Sequence, residues 1–568
     1  MVSIYLEIKY ILNYSSKQKM LTSKKINIKL YKSHIEEGIK KANNANYAEA
    51  ERDFLKAIEL DNSNHIGFIN LSNIYIIQKK IDQCVKLLIG YIIKNDFHQT
   101  ITCHAIKILH HYNYHKDLLK IFNLINLDSK KNFDNKNYLY FIQGLHYEIE
   151  KKYKEAKEAF SKSISSNKYY FDSYVMLFNL YESTNDFKKY NKLLNEGFKN
   201  FANTKHIKTL LFYQALYLNR EKNFLSSQKI ILQNDLNNSL KNNTSLLIKI
   251  LDLEAKNNEK LKNYSLAFKK IGERNSIIAN LEENKIFDGK KIYHSIDKYK
   301  IFFNKKNIGK INSKLTYQND KNLVFLIGFP RSGTTLLDSI LRSHFKINVL
   351  EEKPYLLNLR HEFFKQNNNN LNSLLNITQN IKDKIRNNYF KNISKKINDK
   401  KIIVDKFPLT MIELGFVKCI FPNAKIILAM RHPCDVVTSC YFSSFKINDA
   451  MINFLNWKDA IYFYNKVFGL FELYEKELNL QFLTVKYEDI IKNFSKKTKQ
   501  LTEFLELDYD DNMKNFFVTA RKRQKISTPS YSQVIDPLYN SSIDRWKKYP
   551  YANEMEKALY KWIKKFKY

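Results

Sequence analysis

The run Leu323-Val-Phe-Leu-Ile-Gly-Phe-Pro-Arg-Ser-Gly-Thr-Thr-Leu-Leu-Asp-Ser-Ile-Leu341 constrains this chain more than any other part of it. An apolar segment of strand length enters a short loop bracketed by Gly328 and Gly333. A helical pattern follows at once, with Leu337, Ile340, Leu341 and His344 on one face. A strand, a glycine-bracketed loop and a helix N-terminus, in that order, form an anion cradle. Backbone N–H groups and the helix dipole converge there on one point. Such a unit predicts an α/β domain whose parallel sheet carries helices on both faces and a ligand crevice at the strands' carboxyl ends.

The spacing from Gly328 to Gly333 is that of a nucleoside-triphosphate loop, G-x-x-x-x-G-K-[ST], except that Thr334 stands where the lysine would be. That lysine reaches the β/γ-phosphates. Without it the loop suits a single 5′-phosphate, held by N–H groups and by the hydroxyls of Ser332, Thr334 and Thr335. A second apolar strand, Ala424-Lys-Ile-Ile-Leu-Ala-Met430, ends at Arg431; Pro433 fits a first helical position, and Ser439 lies on the helix that follows. Arginine suits phosphate because its planar fork binds oxygens in pairs and stays charged.

Pro330-Arg-Ser-Gly-Thr-Thr335 resembles the 5′-phosphosulfate loop of sulfotransferases that use 3′-phosphoadenosine 5′-phosphosulfate (PAPS). The arginine-bearing form is similar to the tyrosylprotein sulfotransferases and to bacterial sulfotransferases with tetratricopeptide (TPR) repeats. Further segments match in the family's order. The resemblance implies that Arg331, Ser332, Gly333, Thr334 and Thr335 bind the 5′ side of PAPS, and that Arg431 and Ser439 hold its 3′-phosphate. In Ile402-Ile-Val-Asp-Lys-Phe-Pro408 it gives Lys406 the sulfuryl group and its bridging oxygen; the family's usual asparagine two residues after the proline is Thr410 here. In Val349-Leu-Glu-Glu-Lys-Pro354 it assigns the general base to Glu352, leaving Glu351 a structural or solvated carboxylate. Val485-Lys-Tyr-Glu-Asp-Ile490 places Tyr487 near the adenine. The segment from Thr528 to Trp546 resembles a closing loop in which Arg545 meets phosphate; Tyr531 falls where some relatives have a cofactor-binding serine, with Ser530 and Ser532 on either side, and which hydroxyl substitutes is open. Arg331 and Lys406 would stabilise charge during transfer.

Upstream the sequence repeats. Gly38, Ala50, Phe54 and Ala57 fall at TPR spacings; a shift of thirty-four residues gives Ser72, Cys84 and Leu88, with Tyr75 at the signature's tyrosine. The pattern returns at Gly144, Tyr147, Ala156 and Phe160, then at Phe178 and Tyr181, and Lys208 to Tyr217 opens a further pair. Small residues let two helices approach, and neighbouring hairpins must stack to bury their faces. The segment from His98 to Asn137 reads as helical with the repeat phase lost. Such an array is either a concave surface for a peptide or protein partner, or a scaffold for self-association.

The expected organisation is a leader over residues 1–24, with Met20 an alternative start, TPR-like helices over 25–285, a junction over 286–320 and the α/β domain over 321–568. Glu7 and Lys9 interrupt the apolar N-terminus and no small-residue cleavage site follows, so a signal peptide is not expected. No stretch is apolar for long enough to span a bilayer. Five scattered cysteines show no metal-ligand spacing or disulfide framework, which suits a cytoplasmic protein without a metal. His110, His111 and His115 read as packed or surface residues with no convergent partners. The net charge of +37 arises from lysine spread along the chain, beside abundant Asn, Ile, Tyr and Phe, and does not predict nucleic-acid binding. It would favour anionic ligands.

The leading expectation is therefore sulfuryl transfer from PAPS to a hydroxyl or amine. The acceptor stays open among peptide, saccharide and lipid head group. Two alternatives remain: a P-loop NTPase or kinase, with Asp405 holding magnesium, and a TPR adaptor whose nucleotide-binding domain is inactive.

Overall fold

The computed structural model describes residues 27–95, 98–125, 135–313, 320, 322–394, 402–522 and 542–568. The leader, Met20, Ser530, Tyr531 and Ser532 lie outside them. The chain divides into two compact units, Met1–His206 and Ile207–Tyr568.

The first unit is a series of helix pairs: residues 27–43 with Tyr47–Leu60, His65–Ile77 with Ile81–Lys94, Gln99–His111 with His115–Leu124, Lys136–Ile149 with Tyr153–Ser166, and Phe171–Ser183 with Phe187–Phe201. The small positions do what their spacing predicts. A Cβ on Gly38 would lie 2.6 Å from the Phe54 ring, and one on Gly144 equally close to Phe160. Ala50, Ala57, Ser72, Cys84, Leu88 and Ala156 are sealed from solvent.

Every hairpin turns the same way. Ala45, Lys79, Asn113, Lys151 and Asn185 each sit in the left-handed region two residues before the second helix. The next N–H closes back on a carbonyl five residues earlier, as in Asn46 to Lys41, Lys80 to Tyr75 and Tyr114 to Leu109. This is the Schellman ending of a helix, made here without glycine. The markers at 45, 79 and 113 are thirty-four residues apart, as are those at 151 and 185. The repeat phase is thus kept through the third pair, contrary to expectation. It slips by four residues only between Asn113 and Lys151. Substituted core positions, not a changed backbone period, hid it.

The histidine expectation is also corrected. The His110 and His115 Nδ1 atoms lie 3.2 and 3.1 Å from opposite ring nitrogens of His146, which is fully buried on the next repeat's first helix. Stacking of adjacent pairs brings them together from 36 and 31 residues away in sequence. His111 instead packs edge-on against Tyr112.

In the second unit, four further long helices (Ile207–Arg220, Phe224–Gln233, Thr244–Lys260 and Tyr264–Ala279) precede the sheet. These four helices belong to the same compact unit as the sheet. The helix Tyr264–Ala279 is bonded into the later chain, Arg274 donating to the carbonyls of Tyr441 and Phe442. The expected junction is itself core: from the helix Gly289–Phe302 and just after it, Ile296, Tyr299, Phe302 and Phe303 join Phe325, Ile327 and Leu428 in one cluster.

Among the described residues the sheet has strands β1 (Leu323–Gly328), β2 (Ile347–Glu351), β3 (Ile402–Lys406), β4 (Lys425–Met430) and β5 (Phe482–Lys486), all parallel in the order β2-β3-β1-β4-β5. Alternate residues enter two cores, Phe325, Ile327 and Leu428 on one face and Val324, Leu326 and Ile427 on the other. Burial on both faces explains the unbroken apolar runs. The chain works outward from β1 to β2, returns through β3, then crosses to β4 and β5. The direction of winding changes between β1 and β4, where α/β sheets open their ligand crevice.

Candidate active site

The carboxyl end of every strand carries a residue of the expected site. At the end of β1, Gly328 has φ +157°, and a Cβ there would lie 2.6 Å from both the Ala429 carbonyl oxygen and Ser332 Oγ. Gly333, at φ +98°, faces the Tyr487 ring, with room for a Cβ only at 3.2 Å. The loop is thus pressed against β4 and against the end of β5. Thr334 and Thr335 open the helix Thr334–Arg342 and are buried. Ser332 is buried too, and its hydroxyl has no hydrogen-bond partner among the described residues.

Arg331 occupies the left-handed region at φ 71°, an uncommon conformation for a residue with a side chain. Its Nε donates to Ser439 Oγ at 3.0 Å, which joins the β1 loop to the helix Pro433–Tyr441 after β4. Arg431, from the end of β4, donates to the Arg331 carbonyl at 3.4 Å and to the Ser542 carbonyl at 2.5 Å. Its guanidinium lies over the Tyr487 ring, 5.2 Å from the centroid. Although buried, its Nε has no partner among the described residues. Two orphaned buried donors, Ser332 Oγ and Arg431 Nε, thus stand at the ends of neighbouring strands. Unmatched buried donors are costly in water-free surroundings, and an anion would satisfy them. The donor set fits a ligand with more than one phosphate.

Across β1, the β2 and β3 ends meet. Lys406 is sealed from solvent, its Nζ 2.7 Å from Glu352 Oε1, 3.6 Å from Glu351 and 3.9 Å from Asp338. Glu352 also has a left-handed backbone, at φ 45°, and its N–H donates to the Lys406 carbonyl at 2.8 Å. Of the two glutamates, Glu352 has the more exposed side chain, 33% against 14%. It is the better placed of the two to meet a second substrate. Non-glycine residues in this region cost about 1–3 kcal/mol each and concentrate at functional sites.

Arg545 is placed differently from the expectation. It makes a two-pronged pair with Glu259 on the helix Thr244–Lys260, at 2.5 and 2.8 Å, and lies over Phe442. Glu259 holds its proton affinity well above the ordinary arginine value, against the opposing effect of burial. Thr410 is buried in the turn after β3. Asp405 faces the interior, where Tyr389 donates to it at 2.7 Å and burial pushes its carboxyl up to about 7.

Sequence reasoning missed three supports. Asp338 is fully buried one turn into the loop's helix and accepts from Arg342 at 2.8 Å. An acidic residue beside Leu337 and Ile340 was a readable signal. Asp435 accepts the N–H groups of Asp544 and Trp546, and Glu488 accepts that of His432. These pairings span more than fifty residues, and no local pattern announces them.

Residues 324–511 match a family model described as Sulfotransferase family. An uncharacterized protein of Aquifex aeolicus (strain VF5) is 26% identical over 236 residues, covering 40% of this chain and 30% of that one. Protein-tyrosine sulfotransferase A of Caenorhabditis elegans is 26% identical over 236 residues, covering 39% and 60%. The chain thus spans about a third and three-fifths of these relatives' lengths. The sulfotransferase domain from the Synechococcus PCC 7002 olefin synthase aligns at 20% identity with TM-score 0.32, covering 45% of this chain and 98% of that one. No helix among the described residues is long and apolar enough to cross a membrane. Following its TPR-like helices, the chain is thus similar over residues 324–511 to the sulfotransferase family.

Proposed function

We propose that this chain transfers a sulfuryl group from PAPS to a hydroxyl or amine of an acceptor, with Glu352 as general base. The observation that carries the reading is the pair of orphaned donors, Ser332 Oγ and Arg431 Nε, at the ends of the neighbouring strands β1 and β4, whose following segments the Arg331–Ser439 bond joins. In this reading the loop Arg331–Thr335 holds the 5′ side of the adenosine. Arg431 and Ser439 hold its 3′-phosphate, and Tyr487 borders the base. In-line attack by the acceptor oxygen or nitrogen forms the new bond to sulfur while the bond from sulfur to the phosphate oxygen breaks. Glu352 takes the acceptor proton, and 3′,5′-bisphosphoadenosine leaves. Lys406 and Arg331 are the cations nearest the growing negative charge, and positioning with such charge compensation supplies most of the acceleration.

A magnesium–nucleotide reading is disfavoured by Asp405, which faces Tyr389 inside the core, and by Thr334 in place of the loop lysine. The relative from Caenorhabditis elegans is called a protein-tyrosine sulfotransferase, so a tyrosyl peptide is one acceptor class to test, beside saccharide and lipid. The helix pairs of the first unit suit a protein partner or self-association.

Calorimetry with 3′,5′-bisphosphoadenosine in EDTA should show binding, and ATP with magnesium should bind poorly. The reverse preference overturns the proposal. Incubation with radiolabelled PAPS and fractionated host extract should then label one acceptor class. Absence of transfer to any fraction would favour the inactive-adaptor alternative.

A further inference from the structure

The largest fully buried side chain among the described residues is Arg274, outside the residues matched to the sulfotransferase family. Arginine has five N–H donors, and a buried guanidinium persists only where they are matched. Here Nε and Nη2 donate to Asn275 Oδ1 at 3.1 and 2.8 Å, and Nη1 donates to Asp252 at 2.5 Å. The two remaining bonds, each 3.2 Å, run from Nη1 to the Phe442 carbonyl and from Nη2 to the Tyr441 carbonyl. Asn275 Nδ2 adds a bond to the same Tyr441 oxygen at 3.1 Å.

Those carbonyls end the helix Pro433–Tyr441. The last carbonyls of a helix lack partners within it, and a cation there also opposes the helix dipole. Ser439 lies on this final turn, and its hydroxyl accepts from Arg331. Apolar packing reinforces the grip, because Ala255 and Ile271 of the hairpin form one cluster with Tyr441. The Glu259–Arg545 pair closes over the next residue, with the Arg545 guanidinium 4.6 Å above the Phe442 ring.

We propose that Arg274 is a positioning residue of the anion site. By tying off the helix Pro433–Tyr441 it sets the Ser439 hydroxyl for the 3′-phosphate. The helical hairpin Thr244–Ala279 is accordingly a working part of the transferase, not a spacer before it. This rests on the assignment of Arg431 and Ser439 to the 3′-phosphate.

The test compares 3′,5′-bisphosphoadenosine with adenosine 5′-monophosphate on the full chain, because only the first probes the 3′ subsite. Wild type should prefer the bisphosphate. In Arg274→Gln that preference should fall roughly tenfold, the usual worth of a hydrogen bond to a charged group, with the monophosphate affinity held within about twofold. Arg274→Lys, which keeps the charge but has fewer donors, should fall between. Should Arg274→Gln not fold, Asn275→Asp keeps the Oδ1 acceptor of Arg274 Nε and Nη2 while removing the Nδ2 bond to Tyr441, and should shift the same ratio in the same direction. An unchanged ratio in the folded variants, or equal losses for both ligands, overturns the positioning role while leaving the proposed function intact. A wild type without preference for the bisphosphate overturns both.

Discussion

Lys406 and Glu352 are joined twice, by an ion pair of 2.7 Å between side chains and by a hydrogen bond of 2.8 Å from the Glu352 N–H to the Lys406 carbonyl. The backbone bond continues the β2–β3 ladder one residue past its register of Glu351 with Lys406, and it holds Glu352 in its left-handed conformation. The carboxylate is thereby set at the crevice mouth while the ammonium behind it stays sealed. Oε1 faces the lysine.

The first prediction separates the two glutamates. Glu352→Gln removes the proton acceptor but keeps shape and most hydrogen bonding. Turnover with an identified acceptor should fall by roughly 10²–10⁴-fold, the usual worth of a general base. Bisphosphoadenosine affinity should change by less than about twofold, since Glu352 pairs with Lys406 and is not among the groups proposed to hold the phosphates. Glu351→Gln should keep most of its activity. Equal losses in the two variants would remove the assignment.

Lys406→Met should act on stability as much as on rate. The ammonium is surrounded by Glu352, Glu351 and Asp338 at 2.7, 3.6 and 3.9 Å, and Asp338 also pairs with Arg342. Breaking a buried ion pair from one side costs about 3–5 kcal/mol, because the opposite charges are stranded. Urea unfolding of the variant should show that loss. A midpoint equal to wild type would mean that the carboxylates find water readily, and the crevice is wetter than its burial indicates.

Much of this site was legible in sequence because each piece is local. Strand, glycine loop and helix follow one another from Leu323 to Arg342, and Arg431, Lys406 and Glu352 each lie at or just beyond an apolar strand's end. The parallel sheet then brings those ends together without further instruction. The contacts of Arg545 and Arg274 were not legible for the opposite reason. Glu259 meets Arg545 across 286 residues, and Arg274 meets Tyr441 across 167, so neither contact has a spacing to read. The third helix pair was obscured by its composition, since the turn at Asn113 keeps the period although the small-residue signature is gone.

The repeats offer a controlled pair of glycine substitutions. Gly144→Ala would drive a methyl to within 2.6 Å of the Phe160 ring, inside a packed hairpin. Overpacking of this kind costs about 1–3 kcal/mol. Gly90 lies in the helix Ile81–Lys94 with nothing within 4 Å of a new Cβ. There the same change should stabilise by up to about 1 kcal/mol through helix propensity alone. Thermal unfolding should move the two variants in opposite directions, and a shared direction would contradict the packing.

Acid sensitivity should arise in the first unit from His146. Burial, and then the nearby charges of His110 and His115, lower its pKa from 6.5 to about 4. His110 is lowered by burial and by His115 and His111. A histidine depressed in the folded state binds its proton more readily when unfolded. Stability is therefore full above pH 6.5 and declines as the pH falls from there toward 4. Each such group contributes a slope of up to about 1.4 kcal/mol per pH unit. Protonation would also set two or three positive rings against one another where neutral imidazoles now share hydrogen bonds. Unfolding free energies measured from pH 7.5 to 4.5 should fall steeply in wild type and more gently in His146→Gln, whose amide keeps hydrogen bonding without titrating. Parallel curves for the two proteins would assign the acid sensitivity to other groups.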